Sequence, residues 1–400
     1  MKCHPGLILG LLFLLVPGPA GGETLPARLA ESLHPSDALL VIEEPHRVVF
    51  SQNAEVPCVP ASTLKIATAL FAFATLGETY RFPTDVSVSP DRILYLKGYG
   101  DPLLISEVLD RYAHVVAGEL RAAGIHAIKG MGVDGSYFAP ITIPGVVMNS
   151  EQPYDAPNGA LCANFNTVFY TRNAQGVPVS AEPQTPLLPF IEGRMSASTP
   201  SGRVRLTPTE SRLYAGHLFR WFLQKHGIQV TGSVQSLPYP AENRLYEKRL
   251  LSPSDLTETI KKLMTFSNNF LANQLYLASA ARTEGAPATL EKGRKAFCRV
   301  MTRLLKTCPD VVEGSGISRQ NKVTARLMCD LLMHFAPYAH LLHVEGDARF
   351  KTGTLTDVST RAGYLTTAAD KRYRFVIFTH RHGANAGTVL NALKTELNAR

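Results

Sequence analysis

Residues 61–76, ASTLKIATALFAFATL, are apolar on nearly every face, contain neither glycine nor proline, and stop at Gly77. The pattern predicts a helix, and a helix that is apolar all round must be buried on every side. It demands layers of partner elements, which a chain of 400 residues with 45% hydrophobic content can supply. Residues 38–51 read as a β-hairpin, with Leu39-Leu40-Val41-Ile42 and Val48-Val49-Phe50 on either side of the turn-prone Glu44-Pro45-His46. Helical patterning returns at 253–281, 290–305 and 324–335, and strand-like runs at 361–366 and 374–380 precede a last helix. Residues 80–246 are richer in prolines, glycines and short strand-like pieces, with helical stretches at 104–123 and 210–226. The expectation is an α+β domain in two parts, 23–79 and 247–400, split by one or two inserted domains over 80–246.

The first residues bear on compartment. Met1-Lys2 opens a basic stretch, residues 7–16 are apolar but too few to span a bilayer, and Pro17 to Gly22 offer small residues for cleavage. A signal peptide over residues 1–22 is expected, and with it an exported, periplasmic or secreted protein. Its removal leaves Cys58, Cys162, Cys298, Cys308 and Cys329, an odd number where disulfides are permitted. A single helix running through 298 and 308 would hold those two about 15 Å apart. That exceeds the reach of a disulfide, so pairing of either one with Cys329 is expected instead. The formal charge of +8 is thinly spread, without the basic runs of a nucleic-acid binder. It implies at most a weak attraction to anionic lipid or carboxylate-bearing wall polymer.

Three short motifs could carry chemistry. Ser62-Thr63-Leu64-Lys65 puts a hydroxyl at the start of the buried helix and a lysine one turn later on the same face. An apolar setting favours the neutral amine, which can take the hydroxyl proton, and the helix start turns backbone N–H groups toward a developing oxyanion. Ser267-Asn268-Asn269 follows a helical stretch and offers a hydroxyl to relay a proton and a carboxamide to hold a peptide amide. Lys351-Thr352-Gly353, followed by Thr354, offers a cation and hydroxyl for a terminal carboxylate beside a glycine that lets substrate backbone approach. Alone each is weak: Ser62 could be a helix cap, and Lys351 a solvated strand-edge lysine.

Their joint occurrence in the order SxxK, SxN, KTG is far more specific. With Pro60-Ala61 before Ser62, the loop Glu313-Gly314-Ser315-Gly316-Ile317-Ser318-Arg319, and Lys351-Thr352-Gly353-Thr354-Leu355, the chain resembles a known family. These are the D-alanyl-D-alanine carboxypeptidases and endopeptidases of the class C low-molecular-mass penicillin-binding proteins. The resemblance implies a penicillin-binding-protein/β-lactamase-like transpeptidase domain split by a large insertion that serves substrate recognition. It implies a serine DD-peptidase acting on peptidoglycan stem peptides, as carboxypeptidase, endopeptidase or both, with β-lactams as inhibitors and no cofactor. Ser62 would form the acyl-enzyme with Lys65 as base, and Ser267 and Asn269 would complete the centre. Lys351 with Thr352 would receive the terminal carboxylate beside Gly353, and Thr354 would give the second oxyanion N–H. Asp134, in a D-x-S-x-F element, would approach the stem. Many relatives carry Asp where Asn268 and Glu313 stand. The competing readings are a β-lactamase-like hydrolase, disfavoured by the long insertion, and a non-catalytic wall-binding scaffold.

Gly130-Met131-Gly132-Val133-Asp134-Gly135 matches GxGxxG, but Ser136-Tyr137-Phe138-Ala139-Pro140 follows where a helix should open, so no dinucleotide site is expected. His380 and His382 lack a third ligand and no HExxH occurs, so no metal is predicted.

Overall fold

The computed structural model describes residues 25–147, 150, 152–195 and 199–400; the expected signal peptide lies outside them. The hairpin Ala38–Glu43/Arg47–Gln52 joins the C-terminal strands in a six-stranded antiparallel sheet. Its order runs His343–Glu345, Ala348–Leu355, Val358–Thr366, Arg372–Thr379, Ala38–Glu43, Arg47–Gln52, so the chain's two ends meet in its middle. Strand alternation divides the apolar side chains between two faces. Leu40, Ile42, Val376 and Phe378 enter the core under the central helices. Leu39, Val41, Phe375 and Ile377 meet the helices Ala27–Ser32 and Ala386–Asn398 on the other face. The domain is α+β, as expected.

The run at 61–76 becomes a short 3₁₀ turn, Ala61–Leu64, continuing as the helix Lys65–Leu76, which Gly77 ends at φ 89°. Residues 65 through 73 are all buried. The surrounding helices are Leu256–Phe266, Asn269–Glu284, Leu290–Leu305 and Ala325–Phe335.

The stretch from Pro83 to Leu251 builds separate sheets. A five-stranded mixed sheet has the order Val234–Ser236, Gly130–Asp134, Ile93–Gly98, Pro83–Val88, Tyr246–Leu251. The helices Ser106–Ala122 and Pro208–Lys225 cover it around a second apolar core. A small antiparallel sheet, Pro178–Ser180, Thr167–Arg172 and Ser201–Arg205, extends from this unit. The GxGxxG match lies in the strand Gly130–Asp134.

The expected disulfide partner was wrong. The helix Leu290–Leu305 stops where Lys306 turns left-handed (φ 61°), and the reversal brings Cys308 back to Cys298 with a Cα–Cα distance of 5.0 Å. Cys298 and Cys308 form the disulfide, and Cys329 is a buried free thiol like Cys58 and Cys162.

Candidate active site

Ser62 sits in the 3₁₀ turn that enters the buried helix, half-exposed at the edge of the sheet. Its approach is tightly built. Ala61 adopts φ 46°, a left-handed conformation that L-residues avoid. Thr63 Oγ1 (2.6 Å) and Thr360 Oγ1 (2.9 Å) both donate to the Pro60 carbonyl. Gly353 is needed because a Cβ there would lie 2.7 Å from the Ser62 nitrogen and 3.0 Å from Ala61 Cβ. Gly316, at φ 85°, likewise leaves no room for a side chain against the Ala61 carbonyl. Two glycines thus let a strand and a loop close on the backbone of Ser62.

Lys65 is fully buried, and its Nζ stands 2.7 Å from Ser62 Oγ, 2.8 Å from Asn269 Oδ1 and 2.8 Å from the Ser315 carbonyl. Burial holds its pKa well below the ordinary lysine range, the Lys351 cation pushes the same way, and Glu313 opposes. Lys351 lies in the strand Ala348–Leu355, with Nζ 2.7 Å from Ser267 Oγ and 2.9 Å from the Thr352 carbonyl; burial lowers it to about 8.

Ser267 and Asn269 reach these lysines because the helix Leu256–Phe266 breaks there. Ser267 turns left-handed (φ 52°), and Asn268 starts the next helix by accepting from the Leu271 N–H at 3.1 Å. The capping role of Asn268 explains why Asp can serve at the same place. Of the eight residues expected at the site, Ser62, Lys65, Asn269, Ser267 and Lys351 are joined in two hydrogen-bonded groups. Gly353 packs on Ser62, and Thr354 lines the cleft above it. Thr352 is exposed on the same strand. Asp134 stands elsewhere: its oxygens accept from the Ser136 and Tyr239 N–H groups, and Lys97 pairs with it at 3.4 Å within the five-stranded sheet. His380 is tied to the Val59 backbone, His382 is exposed, and no cluster of metal-ligating residues occurs among the described residues.

Sequence reasoning assigned no role to the loop at 313–318. Glu313 is fully buried and accepts from the Ser315 N–H and Oγ–H, the Gly316 and Ser318 N–H groups and Asn321 Nδ2. It thereby sets the carbonyl that holds Lys65. The glycines flanking Ser315 are the one local signal of that close approach. The far wall of the cleft, an open space of about 590 Å³, was also missed. It comes from the insertion and includes Tyr154, Phe165 and Arg203 opposite Phe266. No motif marks these residues because they meet only through the fold.

A sheet backed by helices, with a serine and a buried lysine at the start of the central helix, defines a serine acyl-transfer enzyme of the penicillin-recognising kind. The D-Ala-D-Ala carboxypeptidase 3 (S13) family model matches residues 41–187 and 188–344, and the chain belongs to that family and is a serine-type DD-peptidase. It is 26% identical to an Actinomadura D-alanyl-D-alanine carboxypeptidase, over 88% of this chain and 81% of that protein. It is also 22% identical to the carboxypeptidase DacB of Haemophilus influenzae, over 83% and 82%. The crystal structure of penicillin binding protein 4 from that bacterium superposes with a TM-score of 0.76 at 19% identity, covering 93% of this chain and 98% of the other. The same protein complexed with a β-lactam gives 0.71 with the same coverage.

Proposed function

We propose that Ser62 is the nucleophile of this peptidase and Lys65 its base, acting on D-alanyl-D-alanine ends or D-alanyl cross-links of peptidoglycan stem peptides. The observation that carries this is the 2.7 Å approach of Ser62 Oγ to the Nζ of a buried lysine that burial drives toward its neutral form. Neutral Lys65 takes the hydroxyl proton as Ser62 Oγ bonds to the D-alanyl carbonyl carbon. The oxyanion is received by the N–H groups of Ser62 and Thr354. Collapse breaks the C–N bond, and the proton taken up by Lys65 passes by way of the Ser267 hydroxyl to the leaving amine, which returns Lys65 to its neutral form. Water then hydrolyses the Ser62 ester and returns the acyl group as a carboxylate. Asn269 holds Lys65 and the substrate amide, while Lys351 with Thr352 receives the terminal carboxylate next to Gly353. The leader-like residues 1–22 and the Cys298–Cys308 disulfide support export to an oxidising compartment such as the periplasm. Among the described residues no helix is long and apolar enough to cross a membrane.

The test is intact mass after incubation with a penicillin, with D-alanine release from a pentapeptide measured in parallel. The parent should gain the mass of one penicillin, retain it, and release D-alanine; Ser62→Ala should do neither. Adduct formation by Ser62→Ala would remove Ser62 from its role. Rapid loss of the adduct with penicillin turnover would mark a β-lactamase.

A further inference from the structure

We propose that Arg203 forms a second anion subsite in the cleft, which recognises a carboxylate of the peptide substrate outside the reacting D-alanyl-D-alanine unit. The inference rests on the DD-peptidase reading above and adds to it a specificity residue from the insertion.

Arg203 is exposed in the strand Ser201–Arg205 and is the one charged side chain lining the cleft at Ser62 among the described residues. It is held in place: its guanidinium lies 5.2 Å from the ring centroid of Phe169, its directly opposed neighbour in the sheet, and Nη1 is 3.4 Å from Thr167 Oγ1. Arg205, two residues on and so on the same strand face, donates to the Asp155 carbonyl at 2.9 Å. That bond ties the strand to the turn Pro153–Asp155 that carries Tyr154 into the cleft wall.

Among the described residues, what Arg203 lacks is an anion. Arg194, Arg244 and Arg249 of the same insertion each pair with a carboxylate, and Arg121, Arg212 and Arg220 donate to backbone carbonyls, whereas Arg203 has only the Thr167 hydroxyl as acceptor among the described residues. Of the other cations at the site, Lys65 is bonded to Ser62, Lys351 is the one assigned above to the terminal carboxylate, and Arg319, in the adjoining cavity, donates to the Thr356 carbonyl. No acidic side chain lines the cleft among the described residues.

The wall beside Arg203 is also strained. Asn164, Phe165 and Asn166 all adopt positive φ, at 47°, 58° and 53°. Asn164 is locked to Ser106 and Asn166 to the Pro157 carbonyl, and this turn presents Phe165 to the cleft just before the strand that carries Phe169. Such strain concentrates at binding sites. A planar guanidinium resting on one aromatic ring, with its outer edge open, fits a carboxylate by paired charge-assisted hydrogen bonds. For a peptide substrate, carboxylates are the groups of opposite charge on offer.

The experiment compares kcat/KM for two D-Ala-D-Ala peptides that differ only in one upstream D-glutamyl group, free carboxylate in one and amide in the other. A third probe is a cross-linked peptide with the free carboxylate only on the leaving stem, against its amide. The parent should favour the carboxylate of one pair about tenfold, the worth of one partly exposed charge-assisted pair. Arg203→Ala should bring that ratio to near one, Arg203→Lys should retain part of it, and Arg203→Glu should invert it. Preference in the first pair puts the anion on the acyl side, and preference in the second puts it on the leaving side. A parent that discriminates in neither pair, or an Arg203→Ala that keeps the ratio, overturns the subsite. Penicillin adduct mass is read for every protein: a parent that acylates without discriminating sinks the subsite alone, and one that neither acylates nor releases D-alanine sinks the underlying assignment with it.

Discussion

The six-stranded sheet and the five-stranded sheet of the insertion each carry helices over a continuous apolar core, yet they differ in the polar groups they take inside. The first buries Lys65, Lys351, Glu313 and Ser315 in one neighbourhood, with neither lysine meeting a carboxylate at ion-pair distance among the described residues. In the insertion, the buried acids Asp85 and Asp134 are answered by Arg249 and Lys97, whose side chains reach outward, while Asp101 and Asp155 are buried with the backbone N–H groups of Leu103 and Val147 as donors. Withdrawing an amine from water without a counter-charge costs stability. The difference teaches which charge is withdrawn and where: the amines without a counter-charge stand together at Ser62, where the proposed reaction gives a lysine inclined to lose its proton a chemical use. The insertion contributes a wall across the cleft.

The largest effect should come from undoing that burial. Lys65→Met is expected to slow penicillin acylation by about a thousandfold, the range of a lost general base. Its unfolding stability should change by no more than about 2 kcal/mol, because the relief of burying an amine without a counter-charge offsets the loss of its bonds to Ser62, Asn269 and Ser315. A drop in stability comparable to a core truncation would make Lys65 a structural residue and erase the contrast. The insertion should behave in the opposite way. Phe219 is fully buried there, and Phe219→Ala should cost about 3–5 kcal/mol by denaturant unfolding. The acylation rate of the folded protein should stay within about twofold, since no group used in the proton transfers is touched. A large rate change would show that packing in the insertion governs the centre as well as the wall.

This contrast also separates what the sequence discloses from what it withholds. The buried helix was legible because its burial is written in consecutive residues: every position from 65 to 73 is inside, and glycine ends it at Gly77. Ser62, Lys65, Ser267, Asn269 and Lys351 were legible because each motif is local, and their order suggested that they meet. That a helical stretch ends at Ser267 could be read, but not the left-handed conformation that makes the break, since nothing near it is a glycine or proline. The Cys298–Cys308 bridge was misjudged for a related reason: a helix assumed to run on in fact ends at Leu305, and three residues of turn undo the separation. Arg203, Phe165 and Tyr154 come from a sheet and two turns far along the chain from Ser62. Their meeting depends on how the insertion docks, which no periodicity encodes.

The buried lysines give the contrast a pH signature. Lys351 titrates near 8 when folded, against 10.5 in the ordinary range. In the proposed reaction its ammonium holds the substrate carboxylate, so kcat/KM for a peptide should fall as pH rises through about 8, by about tenfold per unit beyond the limb. Stability should move the other way. Between pH 8 and 10.5 the unfolded chain binds the proton that the folded chain has released, so this group's contribution becomes more favourable as pH rises and is least favourable below 8. Lys351→Arg should carry the alkaline limb of activity upward out of this window. A limb that stays near 8 in that variant would assign it to another group.

The smallest expected effect lies at the junction between motif and scaffold. Asn268 stands between Ser267 and Asn269 in the cleft lining, but its own hydrogen bond is a helix cap to the Leu271 N–H. Asn268→Ala should lower unfolding stability by about 1 kcal/mol, and Asn268→Asp should stay within a few tenths of the parent, because a carboxylate caps the first turn as well as a carboxamide does. Thermal melts of the three proteins, run beside their penicillin acylation rates, decide it. If Asp costs as much as Ala, the Asn268 carboxamide is recognising something beyond the helix, and the boundary drawn between groups that hold the fold and groups that face the substrate shifts by one residue.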